Sequence, residues 1–297
     1  DDMDERAALT MLADRLTTAG DDAAVINEHL LTIDMLHATT DFPTGVSEYT
    51  VGWRTVGASL SDIAAMGGQP VAAVGVYGRP SFEAQALEAF VDGAADVCVS
   101  VNAEYVGGDL DHHDEPTTVA AVLGSTEDTA GPIRRTGASP GDRVCVTGTL
   151  GRSAAGLALF EADEHDRAHD LFRFSPRVTA GRTLATHATA MIDSSDGLAR
   201  SVHQIATASG CGINIRADHL QNDPKVDAIA ETDEQRREFG LFFGEDFELV
   251  CTVPPDRVAE LKAKTSVTVT DIGEVTTEGV TIDGDPLPDR GYDHGTA

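Results

Sequence analysis

The chain has 297 residues, a length typical of one or two domains, and 41% of them are hydrophobic, which is enough for a substantial core. Its formal net charge of −29, from 50 acidic and 21 basic residues, makes free nucleic acid a poor partner. No apolar run approaches the ~18 residues that a transmembrane helix needs, and the first residues lack the basic and apolar regions of a signal peptide. We therefore expect an ordered cytoplasmic protein with neither a membrane nor a nucleic-acid partner.

The acidic surplus also predicts adaptation to high salt. Like charges repel one another across the folded surface at low ionic strength, and at ~1 M salt the Debye length falls to ~3 Å, which largely screens that repulsion. We expect the thermal unfolding midpoint to rise between low and molar KCl, as measured by circular dichroism. A midpoint that does not rise would instead indicate a protein that is merely acidic.

The hydrophobic patterns of the first half, taken in chain order, alternate between strand-like and helical segments. They predict a helix over residues 4–18, strands at 23–26 and 30–36, a buried helix over 51–66 that ends at Gly67-Gly68, a strand at 71–77, a helix over 82–101, and strands at 104–106 and 117–123. This order indicates βαβ-like units combined with hairpin elements.

A break follows at residues 128–141, which contain three glycines, two prolines and the pair Arg134-Arg135. Such a segment predicts an inter-domain crossing, and it divides the chain into domains of residues 1–131 and 132–297. Beyond it, the patterns predict strands at 143–146, 190–192, 213–215, 247–253, 267–272 and 280–282, and helices over 153–160, 178–187, 198–209 and 258–264. Gly210 is the expected end of the helix over 198–209. The fold class is therefore α/β or α+β, in two domains.

Sulfur and imidazole ligands give no support for a zinc site. The four cysteines, Cys98, Cys145, Cys211 and Cys251, are far apart and form no C-x-x-C pair. This spacing favours reduced cysteines in the core over a disulfide framework. The run His112-His113-Asp114-Glu115 has metal-ligand residue types but no suitably spaced third ligand, so a solvated loop is the favoured interpretation.

Five short runs place an aspartate beside glycine or near the end of a predicted element. Carboxylate, hydroxyl and backbone oxygens suit hard cations such as Mg²⁺, and glycine allows close backbone approach to a ligand. An isolated aspartate of this kind is more often a helix N-cap or a turn residue, so the joint occurrence carries the argument. If the runs converge, they form a multi-metal site for a polyphosphate. The runs are Gly20-Asp21-Asp22, Thr32-Ile33-Asp34, Ser61-Asp62, Gly107-Gly108-Asp109 and Asp193-Ser194-Ser195-Asp196-Gly197.

Three of these aspartates have unusual surroundings. Asp62 interrupts a buried helix, where an unpaired carboxylate is costly unless a cation or strong donors compensate it. Asp193 and Asp196 straddle a strand–helix junction, so one side of a turn can present both carboxylates; Asp196 can also simply cap the following helix.

Other segments allow two interpretations each. The run Thr147-Gly148-Thr149-Leu150-Gly151 precedes a helix and can bind an anion there, but an ordinary strand–turn–helix connection is equally expected. Arg135 can reach a phosphate bidentately or lie in a solvated loop. Glu245, within Gly244-Glu245-Asp246-Phe247-Glu248, can contact a substrate amine or lie in a charged turn. The P-loop, G-x-G-x-x-G and H-E-x-x-H motifs are absent from the sequence.

In their order along nearly the whole chain, these segments resemble the thiamine-monophosphate kinase family, within the ATP-binding superfamily that includes aminoimidazole ribonucleotide synthetase. The resemblance implies two α/β domains, with the N-terminal sheet domains paired across a dimer and the nucleotide in the cleft. The matching segments are Gly20-Asp21-Asp22-Ala23-Ala24, residues 61–67, Gly107-Gly108-Asp109, Gly141-Asp142, residues 146–151, Ser175-Pro176-Arg177, residues 193–198, residues 244–249 and Gly291-Tyr292-Asp293-His294.

The same resemblance implies roles for individual residues. Several Mg²⁺ ions would be bound by Asp22, Asp34, Asp62, Asp109, Asp193 and Asp196, assisted by Thr32 and by the backbone carbonyl of Ile33. The implied ATP contacts are Gly108, Asp109, Arg135 and Ser195. The implied substrate contacts are Glu245 and two positions where relatives carry a histidine or a stacking aromatic residue, Asp41 and Asp289.

The reaction that the resemblance implies is Mg²⁺-dependent transfer of the γ-phosphoryl group of ATP to thiamine monophosphate. The acceptor is a phosphate oxygen that is already ionised near pH 7, so no general base is needed and none is proposed. We expect direct in-line transfer without a phosphoenzyme. The alternatives are another ATP-dependent synthetase of the same superfamily and a non-catalytic Mg-nucleotide sensor.

Overall fold

A computed structural model describes residues 18–292 without a gap, together with residues 8, 11, 12, 15 and 16. The helix predicted over residues 4–18 falls largely outside these residues. None of the helices in the described part of the chain combines the length and the apolar character that crossing a membrane requires.

The N-terminal half is one sheet with two long helices on one of its faces. Its elements are β1 (Ala24–Ile26), β2 (His29–His37), α1 (Glu48–Ala65), β3 (Gln69–Arg79), α2 (Ala84–Ser100), β4 (Glu104–His112) and β5 (Thr117–Ser125). The strand order is β1-β2-β5-β3-β4. Only β3 and β4 are parallel neighbours; the other pairs are antiparallel. The strands and helices predicted between residues 23 and 123 are therefore confirmed in type and order.

Helix α1 carries the functional side chains described below, and local signals set its ends. The hydroxyl of Ser47 caps its start by accepting from the N–H of Thr50 at 3.3 Å. Gly67 follows its end with a φ of +69°, a conformation that favours glycine. Leu60 and Ile63 are fully buried against the sheet, so one face of the helix is fixed by apolar packing.

The opposite face of this sheet is apolar and exposed. Residues of β2 alternate strictly, so that Leu31, Ile33 and Met35 point away from the helices, and Ile33 is 68% exposed. The cross-strand register continues the same face to Leu123 on β5 and Val74 on β3. We call these five outward side chains the bare face. Contiguous exposed apolar surface of this kind is typical of an interaction site.

The C-terminal half contains a mostly antiparallel sheet with strand order β12-β11-β8-β10-β6-β9-β7. Its strands are β6 (Arg143–Thr147), β7 (Ala190–Asp193), β8 (Gly212–Ile215), β9 (Leu249–Val253), β10 (Val269–Thr276), β11 (Val280–Ile282) and β12 (Asp285–Pro286). Its α-helices are α3 (Arg152–Glu161), α4 (His165–Phe172), α5 (Val178–Leu184), α6 (Leu198–Ser209), α7 (Pro224–Asp227), α8 (Asp233–Glu238) and α9 (Val258–Lys264). Short 3₁₀ helices lie at Ala217–His219 and Pro255–Arg257, and a π-helix lies at Phe239–Phe243.

The two halves share one apolar core. Leu60 of α1 belongs to the same buried cluster as Leu184, Met191 and Leu249 of the second half. The helices approach so closely that a Cβ on Gly181 would lie 2.1 Å from the carbonyl oxygen of Ala64. The cleft between the halves is therefore bounded by tightly packed elements.

Several sequence predictions need correction. β4 continues to His112, so Gly107, Gly108 and Asp109 lie within a strand and not in a turn after it. The strand predicted from residue 247 begins at Leu249, because Phe247 has a φ of +53° that no regular strand accepts. Helices α4, α7 and α8 were not predicted. Of the cysteines expected in the core, Cys98, Cys145 and Cys251 are buried and Cys211 is half-buried.

Candidate active site

Three aspartates from separate parts of the chain meet at the cleft. One oxygen from each of Asp22, Asp62 and Asp193 lies within 4.8 Å of the other two. Asp22 precedes β1, Asp62 lies in the last turns of α1, and Asp193 ends β7. We call this trio the carboxylate cage. The sequence prediction that these aspartates converge is therefore confirmed for three of them.

Hydroxyl groups orient the carboxylates of the cage. Thr32 Oγ1 donates to Asp62 Oδ2 at 2.5 Å, and Ser61 Oγ donates to Asp193 Oδ2 at 2.7 Å. Ser59, one helical turn before Asp62, donates to Asp34 Oδ2 at 2.6 Å. The roles of Ser59 and Ser61 were not predicted. The sequence did contain a sign of these roles, because two serines lie close to Asp62 within a helix predicted to be buried, in Ser59-Leu60-Ser61-Asp62.

Burial and mutual repulsion act on the protonation of the cage. Burial raises the pKa of Asp62 well above its ordinary value, and the neighbouring charges of Asp34, Asp193 and Asp22 raise it further. Burial likewise raises the pKa of Asp193, with Asp22 as the next cause. Carboxylates this close favour either a proton or a bound cation.

Arg135, which the family resemblance implies as an ATP contact, lies beside the cage. Its Nη2 donates to Asp22 Oδ1 at 2.8 Å, and its backbone N–H donates to Asp21 Oδ1 at 3.0 Å. These contacts give Asp21, for which the sequence suggested no role, the task of fixing the crossing segment. Nε of Arg135 is buried, makes no hydrogen bond among the described residues and lies 3.9 Å from Asp21 Oδ1.

The cage opens into a cavity of about 290 Å³. Ten of the residues predicted for metal, ATP or substrate line it: Asp22, Thr32, Ile33, Asp34, Asp62, Arg135, Asp193, Ser195, Asp196 and Glu245. Arg200, Gln204 and Tyr292 also line it, although sequence reasoning assigned them no role. Arg200 and Gln204 carried no signal because they lie beyond the run of residues 193–198, whereas Tyr292 belongs to the matched run Gly291-Tyr292-Asp293-His294.

Asp109 and Gly108 do not join the cage within one chain. The register pairs Asp109 with Val76, Val76 with Val119 and Val119 with Met35, so Asp109 lies on the side of the sheet that carries the bare face. Asp34 alternates to the other side, where it meets Ser59. β4 is also three strands from β2, or about 14 Å. The predicted convergence of all five runs is therefore wrong for a single chain.

A second cavity of about 260 Å³ adjoins the first and shares Glu245 and Tyr292 with it. Its aromatic walls are Phe42, Phe172, Phe243 and Tyr292, and Asp41 lies in it as well. Tyr292 Oη donates to the carbonyl oxygen of Thr40 at 2.6 Å and lies 3.3 Å from Asp41. The C-terminal segment therefore closes one side of this cavity.

Asp289 lies in neither cavity. It forms an ion pair of 3.2 Å with Arg200, whose side chain lines the first cavity. Its direct contact with a substrate stays a prediction, and the structure gives it a contact with a cavity residue.

The run Gly244-Glu245-Asp246-Phe247-Glu248 has a different partner for each acid. Asp246 accepts from the backbone N–H of Gly151 at 2.6 Å and of Ser153 at 3.2 Å, so it caps the start of α3. Glu248 accepts from Thr147 Oγ1 at 2.6 Å. Protein carboxylates therefore occupy the helix start that we considered for an external anion, and the strand–turn–helix interpretation of that segment is favoured. Burial raises the pKa of Asp246 to about 7.

Comparison with known proteins agrees with this fold and site. Residues 20–126 match the family described as AIR synthase related protein, N-terminal domain, and residues 139–284 match its C-terminal domain. Both halves of the cleft fall within these matches. A two-domain α/β protein with an acidic inter-domain site of this kind is a member of the AIR synthase-related class.

Relatives narrow this class further. The thiamine-monophosphate kinase of Halobacterium salinarum is 53% identical over 98% of this chain and 100% of its own. That of Methanospirillum hungatei is 38% identical over 93% of both chains. A solved structure described as AaThiL complexed with AMPPCP and TMP superposes with a TM-score of 0.89 at 28% identity, covering 98% of this chain and 97% of that one. The chain belongs to the thiamine-monophosphate kinase family.

Membership of this family confirms the kinase prediction over the two alternatives, a superfamily synthetase and a nucleotide sensor. It also makes the chain an ATP-using enzyme. The acidic composition accords with the halophilic source of the Halobacterium relative.

Proposed function

We propose that the chain transfers the γ-phosphoryl group of ATP to thiamine monophosphate, giving thiamine diphosphate and ADP. The observation that carries the proposal is the carboxylate cage at a cavity that also holds Arg135. ATP and a phosphomonoester together bring ~−6 of charge at neutral pH, which an acidic protein cannot hold without cations. The relatives supply the identity of the acceptor, since they are named for thiamine monophosphate.

Several Mg²⁺ ions fit the chemistry of the cage. All of its donors are oxygens, and Asp22 Oδ2 is buried without a hydrogen-bond partner among the described residues. Bound there, Mg²⁺ would neutralise the phosphates and the charge on the transferring group. We assign the ligands to the cage and to Asp34, Asp196, Thr32 and the carbonyl of Ile33, which line the same cavity.

The residues of this chain contribute alignment and not proton transfer. Thr32 and Ser61 hold two cage carboxylates in fixed orientations through their hydroxyl groups. Arg135 lines the cavity and can present its guanidinium group to a phosphate oxygen, while Asp22 accepts from its Nη2. Ser195 lies in the same cavity and is assigned to ATP. Because the acceptor oxygen is already ionised, we infer direct in-line transfer without a general base.

We assign the second cavity to the rings of the acceptor. Phe172, Phe243 and Tyr292 provide apolar walls, which suit flat heteroaromatic rings. Glu245 lies between the two cavities, so its carboxylate can accept a hydrogen bond from an amino group while the acceptor phosphate faces the cage. Asp41 adds a second acceptor beside Tyr292.

We further propose that the chain acts as a homodimer that pairs through the bare face. We infer that the occupant is a second copy, because Asp109 is assigned to ATP and Mg²⁺ but lies on the bare face, away from the cage of its own chain. Ile33 belongs both to the bare face and to the lining of the first cavity. A partner seated on this face therefore also borders the cavity.

The proposed activity predicts that thiamine diphosphate forms when the folded protein is incubated with ATP, Mg²⁺ and thiamine monophosphate in molar KCl. Chromatography of the thiamine esters measures the product, and the same mixture with EDTA is the control, in which product should be absent. Absence of product from protein that circular dichroism shows to be folded would contradict the proposal. A phosphorylated protein on the pathway would contradict direct transfer.

A further inference from the structure

A buried arginine lies behind the site and lines neither cavity. Arg54, in the middle of α1, is 1% exposed. Its Nη1 donates to the carbonyl oxygen of Phe172 at 2.5 Å and to Ser153 Oγ at 3.3 Å, and its Nη2 donates to Glu245. Arg54 is therefore a residue of the N-terminal half whose guanidinium group contacts three segments of the C-terminal half.

The plane of this guanidinium group is fixed. Its Cζ lies 3.8 Å from the centroid of the Phe172 ring, which it covers. Two hydrogen bonds on one nitrogen and an ion pair on the other leave little freedom to rotate. A lysine has the same charge but cannot reproduce this planar set of donors.

Glu245, the partner of Arg54, is held in an unusual backbone conformation. Its φ is +61°, which costs a non-glycine residue energy. Its N–H donates to the carbonyl oxygen of Ser195 at 2.6 Å, and its carbonyl accepts from Ser153 Oγ at 2.6 Å. Ser195 lies two residues after the cage residue Asp193 in the sequence. The position of Glu245 is thereby tied to the cage on one side and to Arg54 on the other.

We propose that Arg54 is a positioning residue for the acceptor: it holds the Glu245 carboxylate at the boundary between the two cavities. This inference rests on the proposed function, in which Glu245 contacts the acceptor. The positive charge of Arg54 already balances the Glu245 carboxylate. Glu245 therefore recognises a hydrogen-bond donor on the acceptor ring, and not merely the positive charge of that ring. Loss of Arg54 would release the carboxylate and weaken acceptor binding, while the cage and Arg135 would still bind ATP.

The test compares Arg54→Lys, Glu245→Gln and the double variant in steady-state kinetics with thiamine monophosphate and ATP. We expect R54K to raise the KM for thiamine monophosphate about tenfold, or ~1.4 kcal/mol, and to change the KM for ATP less than about twofold. We expect the double variant to match E245Q alone, because Arg54 acts through Glu245. Equal rises in both KM values, or effects that multiply in the double variant, would overturn the proposal.

Arg79→Lys is a matched control. Arg79 is also a buried arginine of the N-terminal half, pairs with Glu48 at 2.9 Å and lies 4.1 Å above the Tyr77 ring, but it lines neither cavity. R79K should leave both KM values unchanged. If R54K does not fold, the Ser153→Ala variant tests the proposal instead, because it removes one hydrogen bond to Arg54 and one to Glu245. We expect it to raise the KM for thiamine monophosphate. An unchanged KM would overturn the proposal.

The outcomes separate this inference from the proposed function. If the wild-type protein neither binds thiamine monophosphate in calorimetry nor converts it, the proposed function fails. If the wild type converts it and R54K keeps the wild-type KM for the acceptor, the positioning role alone fails.

Discussion

Replacing Asp62 with asparagine is expected to lower kcat by about 30- to 900-fold, which corresponds to ~2–4 kcal/mol of lost transition-state stabilisation. The substitution preserves the shape of the side chain but removes a charge that lies within 4.8 Å of Asp22 and Asp193. The new amide oxygen can still accept from Thr32 Oγ1, so the helix and strand stay in place. Rates at saturating ATP, Mg²⁺ and thiamine monophosphate measure the loss.

The same substitution is expected to stabilise the metal-free protein at neutral pH. Burial and the charges of Asp34 and Asp193 raise the pKa of Asp62 in the folded state. Between the ordinary aspartate pKa and this raised pKa, the folded chain holds a proton that the unfolded chain has released. The free energy of unfolding of the metal-free protein therefore falls as the pH rises through that window. Asn does not titrate, so D62N should reduce the fall in thermal melts with EDTA and molar KCl.

Asp218→Asn is the control for both measurements, because its side chain is 82% exposed and lies outside both cavities. It should change neither the rate nor the pH dependence of the melt. Wild-type turnover in D62N would refute the role of Asp62 at the cage. A metal-free D62N protein that melts with the pH dependence of the wild type would refute the electrostatic account of its raised pKa.

The part of the site that the sequence predicts depends on local signals. Asp22 and Asp193 adjoin short apolar runs that read as strands, and a cleft at strand ends brings such residues together. Asp62 was identifiable because a carboxylate near the end of a buried helix needs compensation. Gly67 and Gly210 mark helix ends, and both have the positive φ expected there. In each case neighbouring residues contain the information.

The remaining features depend on contacts between distant segments. The ion pair between Arg54 and Glu245 joins residues 191 positions apart, and Tyr292 meets Asp41 across 251 positions. Asp246 caps α3 from 95 residues away. No periodicity or motif encodes such pairs, because they follow from how the two halves dock. The face on which Asp109 lies depends likewise on a strand register that one residue of slip would reverse.

Salt and Mg²⁺ act on different carboxylates of this chain. Surface carboxylates repel one another, and salt relieves that repulsion. The cage carboxylates are partly or fully buried, where screening by salt is weaker, and we expect them to bind an anionic substrate only through cations. We therefore expect high salt to stabilise the protein by screening the surface carboxylates, and Mg²⁺ to stabilise it by binding the cage. Melts at low and molar KCl measure the first effect, and melts with and without EDTA measure the second.

A heterodimer of one Asp62→Asn chain and one Asp109→Asn chain is expected to recover about half of the wild-type activity. If Asp109 serves the cage of the partner chain, one of the two sites carries both substitutions and the other carries neither. Each variant alone leaves both sites defective. Two affinity tags allow the heterodimer to be purified, and light scattering confirms its mass.

This recovery discriminates between the two arrangements that the assignment of Asp109 allows. If Asp109 acted within its own chain, each site of the heterodimer would carry one substitution and the activity would stay at the level of the single variants. The matched control is a heterodimer of D62N with Asp193→Asn, whose substitutions both affect the cage of the chain that carries them; it should recover nothing. Recovery in that control, or a monomeric wild-type protein, would contradict a shared site. In the proposed dimer Asp109 serves the cage of the partner chain, whereas Asp62 lies beside Asp193 of its own chain.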